Sequence, residues 1–243
     1  MNADEKAIRL GHPSYVWRFG QERRLRLIRR YVTLEDARIL DVGCGLGVYV
    51  QHLSGFSSRV YGVDVDSDKV EEASKTLANV QVAPAESLPF EDGFFDVVLL
   101  HEVLEHVNDD ARSVAEAWRV TAPGGHIVVF VPNRLYPLET HGVYWGGRYV
   151  EGNIPLVNYL PDCLRRRLCP HVRAYTRGDI RNLFNDLPGH IVIHTCIYPG
   201  YDKIAAGEPR LGRALRSVTY ALERTPLRFL GLSHFLAFEK RGG

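Results

Sequence analysis

From residue 38 to residue 132, short apolar runs alternate with stretches of helical periodicity, and this alternation constrains the chain more than any other feature. RILDVG (38–43), RVYGVDV (59–65), VQVAPA (80–85), FDVVLLH (95–101) and HIVVFVP (126–132) read as strands. The segments 46–54, 67–78 and 109–120 read as helices, and Pro123-Gly124-Gly125 as a turn before the fifth strand. Strands joined through helices must run parallel, with right-handed crossovers and helices on both faces of the sheet. Ser67 is positioned to cap its helix, and Glu71 and Lys75 are spaced for an i,i+4 pair. An amphipathic helix is expected over 14–32, with Trp17, Leu25, Ile28 and Val32 on its apolar stripe. After Pro132 the rhythm lapses until a helix over 177–187, capped by Thr176, and strands at 190–197 and 234–240. Leu211, Leu215, Val218 and Leu222 place a further helix within 198–232.

A chain of 243 residues, 45% hydrophobic and 24% charged, can bury one sizeable core. The expected organisation is a single domain: an N-terminal helical cap (1–34), a core (35–133), a lid insertion (134–176) and a C-terminal part of the sheet (177–243) interrupted at about 198–232. No run of 18 apolar residues occurs, and MNADEKAIRL lacks the apolar centre of a signal peptide. Cys44, Cys163, Cys169 and Cys196 are scattered without CxxC spacing, which argues against a zinc cage and makes a cytoplasmic location the default. Net charge is +1, but residues 35–132 carry −11 and the flanks +12. The core and its flanks therefore read as different functional layers.

The chemistry is concentrated in Asp41-Val42-Gly43-Cys44-Gly45-Leu46-Gly47, between the first strand and the next helix. Glycines there allow a sharp turn and close approach to a ligand. Asp64, ending the second strand, can accept both hydroxyls of a ribose. The spacing departs from G-x-G-x-x-G because position 48 is Val, and Asp41 suits an ammonium better than a pyrophosphate. Together with AESLPFEDGFFDVVLLHEVLEHV and WRVTAPGGHIVVFVPN, ILDVGCGLG and GVDVD resemble the class I S-adenosylmethionine-dependent methyltransferases. Residues 38–133 match in order, and the subgroup resembled includes ubiquinone and menaquinone biosynthesis methyltransferases.

The resemblance implies a Rossmann-like α/β fold with a seven-stranded, mainly parallel sheet ordered 3-2-1-4-5-7-6, the last strand antiparallel. It implies S-adenosyl-L-methionine as cofactor and S-adenosyl-L-homocysteine as product. Gly43, Cys44, Gly45 and Gly47 would shape the loop under the methionine moiety, with Asp41 holding it. Asp64 would bind ribose, Val65 would pack on adenine, and Ala85 and Glu86 would border its edge. Many relatives have Asp where this chain has Pro84, so a carbonyl or Glu86 must replace that contact. His101 would stand beside the sulfonium, as a general base or as a wall of the pocket. His101 and His106, five residues apart, would point about 140° apart on a helix, so no metal is expected there. Glu105 and His106 are expected to stabilise that local helix instead.

The acceptor should enter beneath the insertions and the N-terminal helix. The aromatic stretch 136–149 is expected to face the methyl group, with His141 as a second candidate base. Arg165, Arg166 and Arg167 are expected to face solvent, an anionic acceptor or lipid headgroups. Three functions remain open. They are methyl transfer to a small molecule (aromatic, quinone-like, sugar or lipid-linked), methyl transfer to nucleic acid or protein through the basic flanks, and a catalytically silent nucleotide-binding scaffold. The first needs no nucleic-acid partner, and the sequence leaves the oligomeric state open.

Overall fold

The computed structural model describes residues 17–242. Seven strands build the central sheet: β1 (Ile39–Val42), β2 (Val60–Asp64), β3 (Val80–Val82), β4 (Phe95–His101), β5 (Thr121–Pro132), β10 (Gly189–Ile197) and β11 (Ser233–Lys240). Their order is β3-β2-β1-β4-β5-β11-β10. Counting sheet strands only, this is the expected 3-2-1-4-5-7-6. β11 lies antiparallel to both β5 and β10, while β1 pairs in parallel with β2 and β4.

Alternate residues of each strand feed two separate cores. Leu40, Val42, Val98 and Leu100 pack with Val114, Ala117 and Val120 of α4 (Asp110–Val120) on one face. Ile39, Val97 and Leu99 pack with Leu25 and Ile28 of α1 (Phe19–Ile28) and with Val50 and Leu53 of α2 (Val48–Leu53) on the other. Burial of both faces explains why β4 reads as an uninterrupted apolar run.

Local details differ from the sequence reading. Residues 14–16 of the expected first helix lie outside the described residues. The helix after β2, α3, is Ser67–Ser74, and its N-cap is Asp66, whose carboxylate accepts from the Asp68 and Lys69 amides. Lys75 pairs with Glu72 at 2.6 Å rather than with Glu71. The Pro123-Gly124-Gly125 turn is absorbed into β5 as an irregularity, Phe95 opposing Thr121 while Val97 opposes His126. Thr176 does cap its helix, in a reciprocal box with Asp179, but the helix is only Arg177–Asn182 (α6).

The first insertion has structure of its own. β6 (Leu138–Glu139) pairs with β9 (Ile154–Pro155), and β7 (Val143–Trp145) with β8 (Arg148–Val150); helix α5 (Asp162–Leu168) follows. Val143, Val157, Cys169 and Val172 form its small core. It is tied to the main body by Tyr175, whose hydroxyl donates to Leu104 O at 2.7 Å, and by Arg173, which donates to Asn108 O at 2.9 Å. The second insertion is helical, α7 (Asp202–Gly207) and α8 (Pro209–Leu222). Among the described residues no helix is long and apolar enough to cross a membrane, and all four cysteines are free.

Candidate active site

β1 lies between β2 and β4, so the strand order reverses at its carboxyl end, where a crevice opens above a doubly wound sheet. The glycine loop fills this point. Gly43 N and Cys44 N both donate to Val63 O, at 2.7 and 2.9 Å. Gly43 has φ +72°, and a Cβ there would lie 2.5 Å from Val103 Cγ2, so only glycine fits. Gly45, with φ +55°, would meet no main-body atom closer than 4.0 Å; its missing side chain leaves room above the loop.

Asp64 holds the loop in shape. Its Oδ2 accepts from Gly45 N at 2.8 Å and its Oδ1 from Asp66 N at 2.9 Å. Each carboxylate oxygen retains a lone pair for a hydroxyl. The next residue, Val65, is 74% exposed despite being apolar, an unfilled contact beside the loop. Asp41 is buried, and burial together with the Asp64 charge pushes its carboxyl up to about 8.

A cavity of about 520 Å³ adjoins the loop. Asp41, Gly43, Cys44, Gly45 and Leu46 form its floor, with His101 and Glu102 at the end of β4. Its other walls come from α1 (Gln21, Arg23, Arg24) and from the start of the second insertion (Tyr198, Pro199, Gly200). These two walls are latched together. Gly20 N donates to Asp202 Oδ2 at 3.1 Å, and Arg23 donates to Tyr198 O at 3.2 Å and pairs with Glu223. Within the insertion, Tyr220 OH donates to Pro199 O at 3.1 Å.

Arg24 organises the sheet side. Its guanidinium donates to Nε2 of His101, pairs with Glu102 Oε1 at 2.8 Å and donates to Ser233 Oγ at 2.9 Å. With Nε2 occupied, and with burial and the Arg24 charge pushing its pKa down to about 3, His101 stays neutral. Tyr49 packs edge-on against its ring at 4.4 Å. His101 is therefore built as a wall of the cavity, and the arrangement does not offer it as a proton acceptor. Glu102 is a non-glycine residue at φ +58°, a costly backbone state held in place beside the cavity. Burial raises its carboxyl, but the Arg24 guanidinium outweighs that cost and holds it below the usual carboxylate range.

The structure brings Asp41, Gly43, Cys44, Gly45 and His101 to one cavity. Gly47 and Asp64 lie just behind it, with Gly47 accepting the turn at φ +76°. Ala85 is packed in the core, and Glu86 Oε1 accepts from Asn108 N at 2.9 Å, so that carboxylate already serves the main chain. His141 does not line the cavity, nor does any residue of 136–149. Those aromatics pack locally instead: Tyr144 and Tyr149 surround His171 at 5.6 and 5.8 Å, and Trp145 is 69% exposed. Arg165 does not face outward as expected, while Arg166 and Arg167 are exposed. Arg165 is buried, donating to Glu139 Oε2 at 2.6 Å, Asn158 Oδ1 at 3.2 Å and Val172 O at 2.9 Å. A strand pair and a short helix without a large apolar core need such an internal anchor, and the sequence shows only a basic run.

Residues 102–107 form a turn rather than a helix, with His106 N bonded to Val103 O at 2.9 Å. The helical angle between His101 and His106 therefore does not apply. His106 instead faces His141, ring centroids 5.6 Å apart, across a buried Glu105.

Comparison with known proteins finds similarity over part of the chain. Residues 40–129 match the model of a methyltransferase domain. The ubiquinone biosynthesis O-methyltransferase of Methylococcus capsulatus is 31% identical over 118 residues, 46% of this chain and 50% of that protein. The chloroplastic tocopherol O-methyltransferase of Arabidopsis thaliana is 38% identical over 101 residues, 38% of this chain and 29% of that one. The fold is shared with an S-adenosylmethionine dependent methyltransferase from Mesorhizobium loti, at a TM-score of 0.63 and 18% identity, over 88% of this chain and 96% of that one. Residues 40–129 thus resemble a methyltransferase domain, within a fold shared with S-adenosylmethionine-dependent methyltransferases. It spans half or less of the length of the curated relatives named here.

Proposed function

We propose that this protein transfers a methyl group from S-adenosylmethionine to a small molecule held in the cavity between the glycine loop, α1 and the second insertion. The observation that carries this reading is the junction of the Asp64-clamped loop with a walled cavity of about 520 Å³, a volume suited to a small organic acceptor. The cofactor supplies an electrophilic methyl on a sulfonium and leaves as a neutral thioether. Asp41 would hold the amino-acid end, Asp64 the ribose hydroxyls, and Val65 one face of the adenine. The Arg24–His101–Glu102 cluster fixes the far wall, and the latched α1 and second insertion exclude water and orient the acceptor. Since His101 is held neutral with Nε2 occupied, the proton of a hydroxyl acceptor must leave by another route.

The test is transfer of labelled methyl from S-adenosylmethionine into a metabolite extract, with and without nuclease. Label in the small-molecule fraction, unaffected by nuclease, is the expected result. Loss of label on nuclease treatment would move the acceptor to nucleic acid. Failure to bind S-adenosylhomocysteine in calorimetry would leave only a silent scaffold.

A further inference from the structure

We propose that a second cavity, on the opposite face of the sheet from the first, binds a phosphorylated small molecule through Arg177, Arg224 and Arg228. It encloses about 420 Å³ where β5 and β10 end and β11 begins, and the three arginines line it. Strand alternation sets it apart from the first cavity. Cys196 and His234 are cross-strand partners that line it, whereas the next pair, Ile197 and Ser233, turns to the other face. Ile197 lines the first cavity, and Ser233 accepts from Arg24. One layer of sheet separates the two spaces.

The charge of this cavity is uncompensated. No carboxylate is among its lining residues, and among the described residues no ion pair or hydrogen bond occupies the three guanidinium groups. Arg24, Arg134 and Arg165, by contrast, each face a carboxylate, at 2.8, 2.9 and 2.6 Å. Arg177 comes from the start of α6, and Arg224 and Arg228 come from the segment that follows α8, so the charges converge from two distant parts of the chain. Arg177 and Arg228 both act on the Cys196 thiol at the cavity wall, opposing the upward push that burial gives it. The backbone carrying two of the three is fixed. Asn133 Nδ2 donates to Phe229 O and Gly231 O, each at 2.7 Å, and Thr225 Oγ1 accepts from Leu227 N at 3.2 Å. A frame already in place lowers the ordering cost of binding.

Guanidinium forks match the paired oxygens of phosphate, and three positive charges favour a dianion over a single carboxylate. The volume exceeds what phosphate alone fills and suits a small organic molecule. Leu135 and Phe229, 40% and 46% exposed, offer that organic part an apolar surface. The class of ligand that fits is a phosphomonoester with an apolar portion. Resting on the methyl-transfer reading, it also acts as an effector. Glu223, next to Arg224, accepts from Tyr198 N at 2.7 Å and pairs with Arg23, and both of these residues wall the first cavity. Drawing Arg224 towards an anion acts directly on the residue that holds those walls.

The experiment is calorimetric titration of the intact protein with phenyl phosphate, inorganic phosphate and benzoate at constant ionic strength. Binding of S-adenosylhomocysteine is followed with and without saturating phenyl phosphate. One equivalent of phenyl phosphate should bind, more tightly than inorganic phosphate or benzoate. Its affinity should fall at least roughly tenfold in Arg177→Gln and in Arg228→Gln, each of which loses a charge-assisted hydrogen bond. Both side chains are exposed, and a thermal melt of each variant checks that it folds. No saturable binding of phenyl phosphate, or unchanged affinity in either variant, would overturn the site. Benzoate bound as tightly as phenyl phosphate would overturn the assignment to phosphate. Saturating phenyl phosphate should change S-adenosylhomocysteine affinity by about fivefold or more, and an unchanged value would overturn the effector role. Failure of S-adenosylhomocysteine to bind, with phenyl phosphate still bound, would overturn the methyl-transfer reading alone.

Discussion

Replacing Asp64 with Asn tests the cofactor site at the residue that joins fold to function. The native carboxylate accepts from Gly45 N and Asp66 N through different oxygens, at 2.8 and 2.9 Å. An amide of the same shape has one acceptor oxygen. Its NH2 must therefore oppose one of those backbone donors, and a ribose hydroxyl on that side loses its charged acceptor. One charge-assisted hydrogen bond contributes about 1.5–3 kcal/mol, so affinity for S-adenosylhomocysteine should fall roughly 10- to 150-fold. The unpaired donor should cost about 1–3 kcal/mol of stability, lowering Tm by roughly 2–10 °C in a chain of this size. Titration calorimetry measures the first effect and scanning calorimetry the second. Affinity unchanged within about twofold would refute ribose binding. If Tm fell without loss of affinity, Asp64 would be a clamp for the loop and nothing more.

Burial and Asp64 raise Asp41 to about 8, so in the cofactor-free protein it is protonated at neutral pH. A bound ammonium would favour its ionised form. S-adenosylhomocysteine binding should release up to one proton at pH 7, and affinity should rise between about pH 6 and 8 and then level; calorimetry in buffers of different ionisation enthalpy checks this. Because the folded state holds this proton where the unfolded chain has lost it, Asp41 also makes cofactor-free stability fall as pH rises from about 4 to 8, an effect Asp41→Asn should remove in thermal melts. Arg24→Gln should cost about 1–3 kcal/mol, reduced by partial exposure of the Arg24–Glu102 pair, and loosen α1 over the cavity. Faster amide exchange in 19–28 would report that loosening. Arg165→Met strands the buried Glu139 and should cost about 3–5 kcal/mol, seen as faster exchange across 138–172 with β1, β2 and β4 unaffected.

The core was legible because each of its demands leaves a mark in sequence. Both-face burial makes β4 continuously apolar, and positive φ requires glycine at 43, 45 and 47. The sheet's carboxyl edge then carries Asp64 to the loop without further information. The walls of the cavity were harder to read. Aromatic content suggested that 136–149 would cover the methyl group, whereas α1 and the turn at 198–200 line the cavity, held by Asp202 and Glu223. Those carboxylates act across more than 170 residues, or by accepting main-chain amides, and neither relation has a spacing to recognise. Arg165 looked like part of a solvated basic run for the same reason, its partner Glu139 lying on another element. The contact between His106 and His141 was hidden because a helix was expected where a turn brings His106 to face the insertion.

A crystal structure of the protein with S-adenosylhomocysteine bound measures the central claim directly. The thioether sulfur should lie over the Gly43–Gly47 loop, facing the cavity walled by Arg24, His101 and Tyr198, with the ribose hydroxyls on Asp64 and the adenine on Val65. A ligand bound elsewhere, or one with its sulfur turned away from that cavity, would contradict the account.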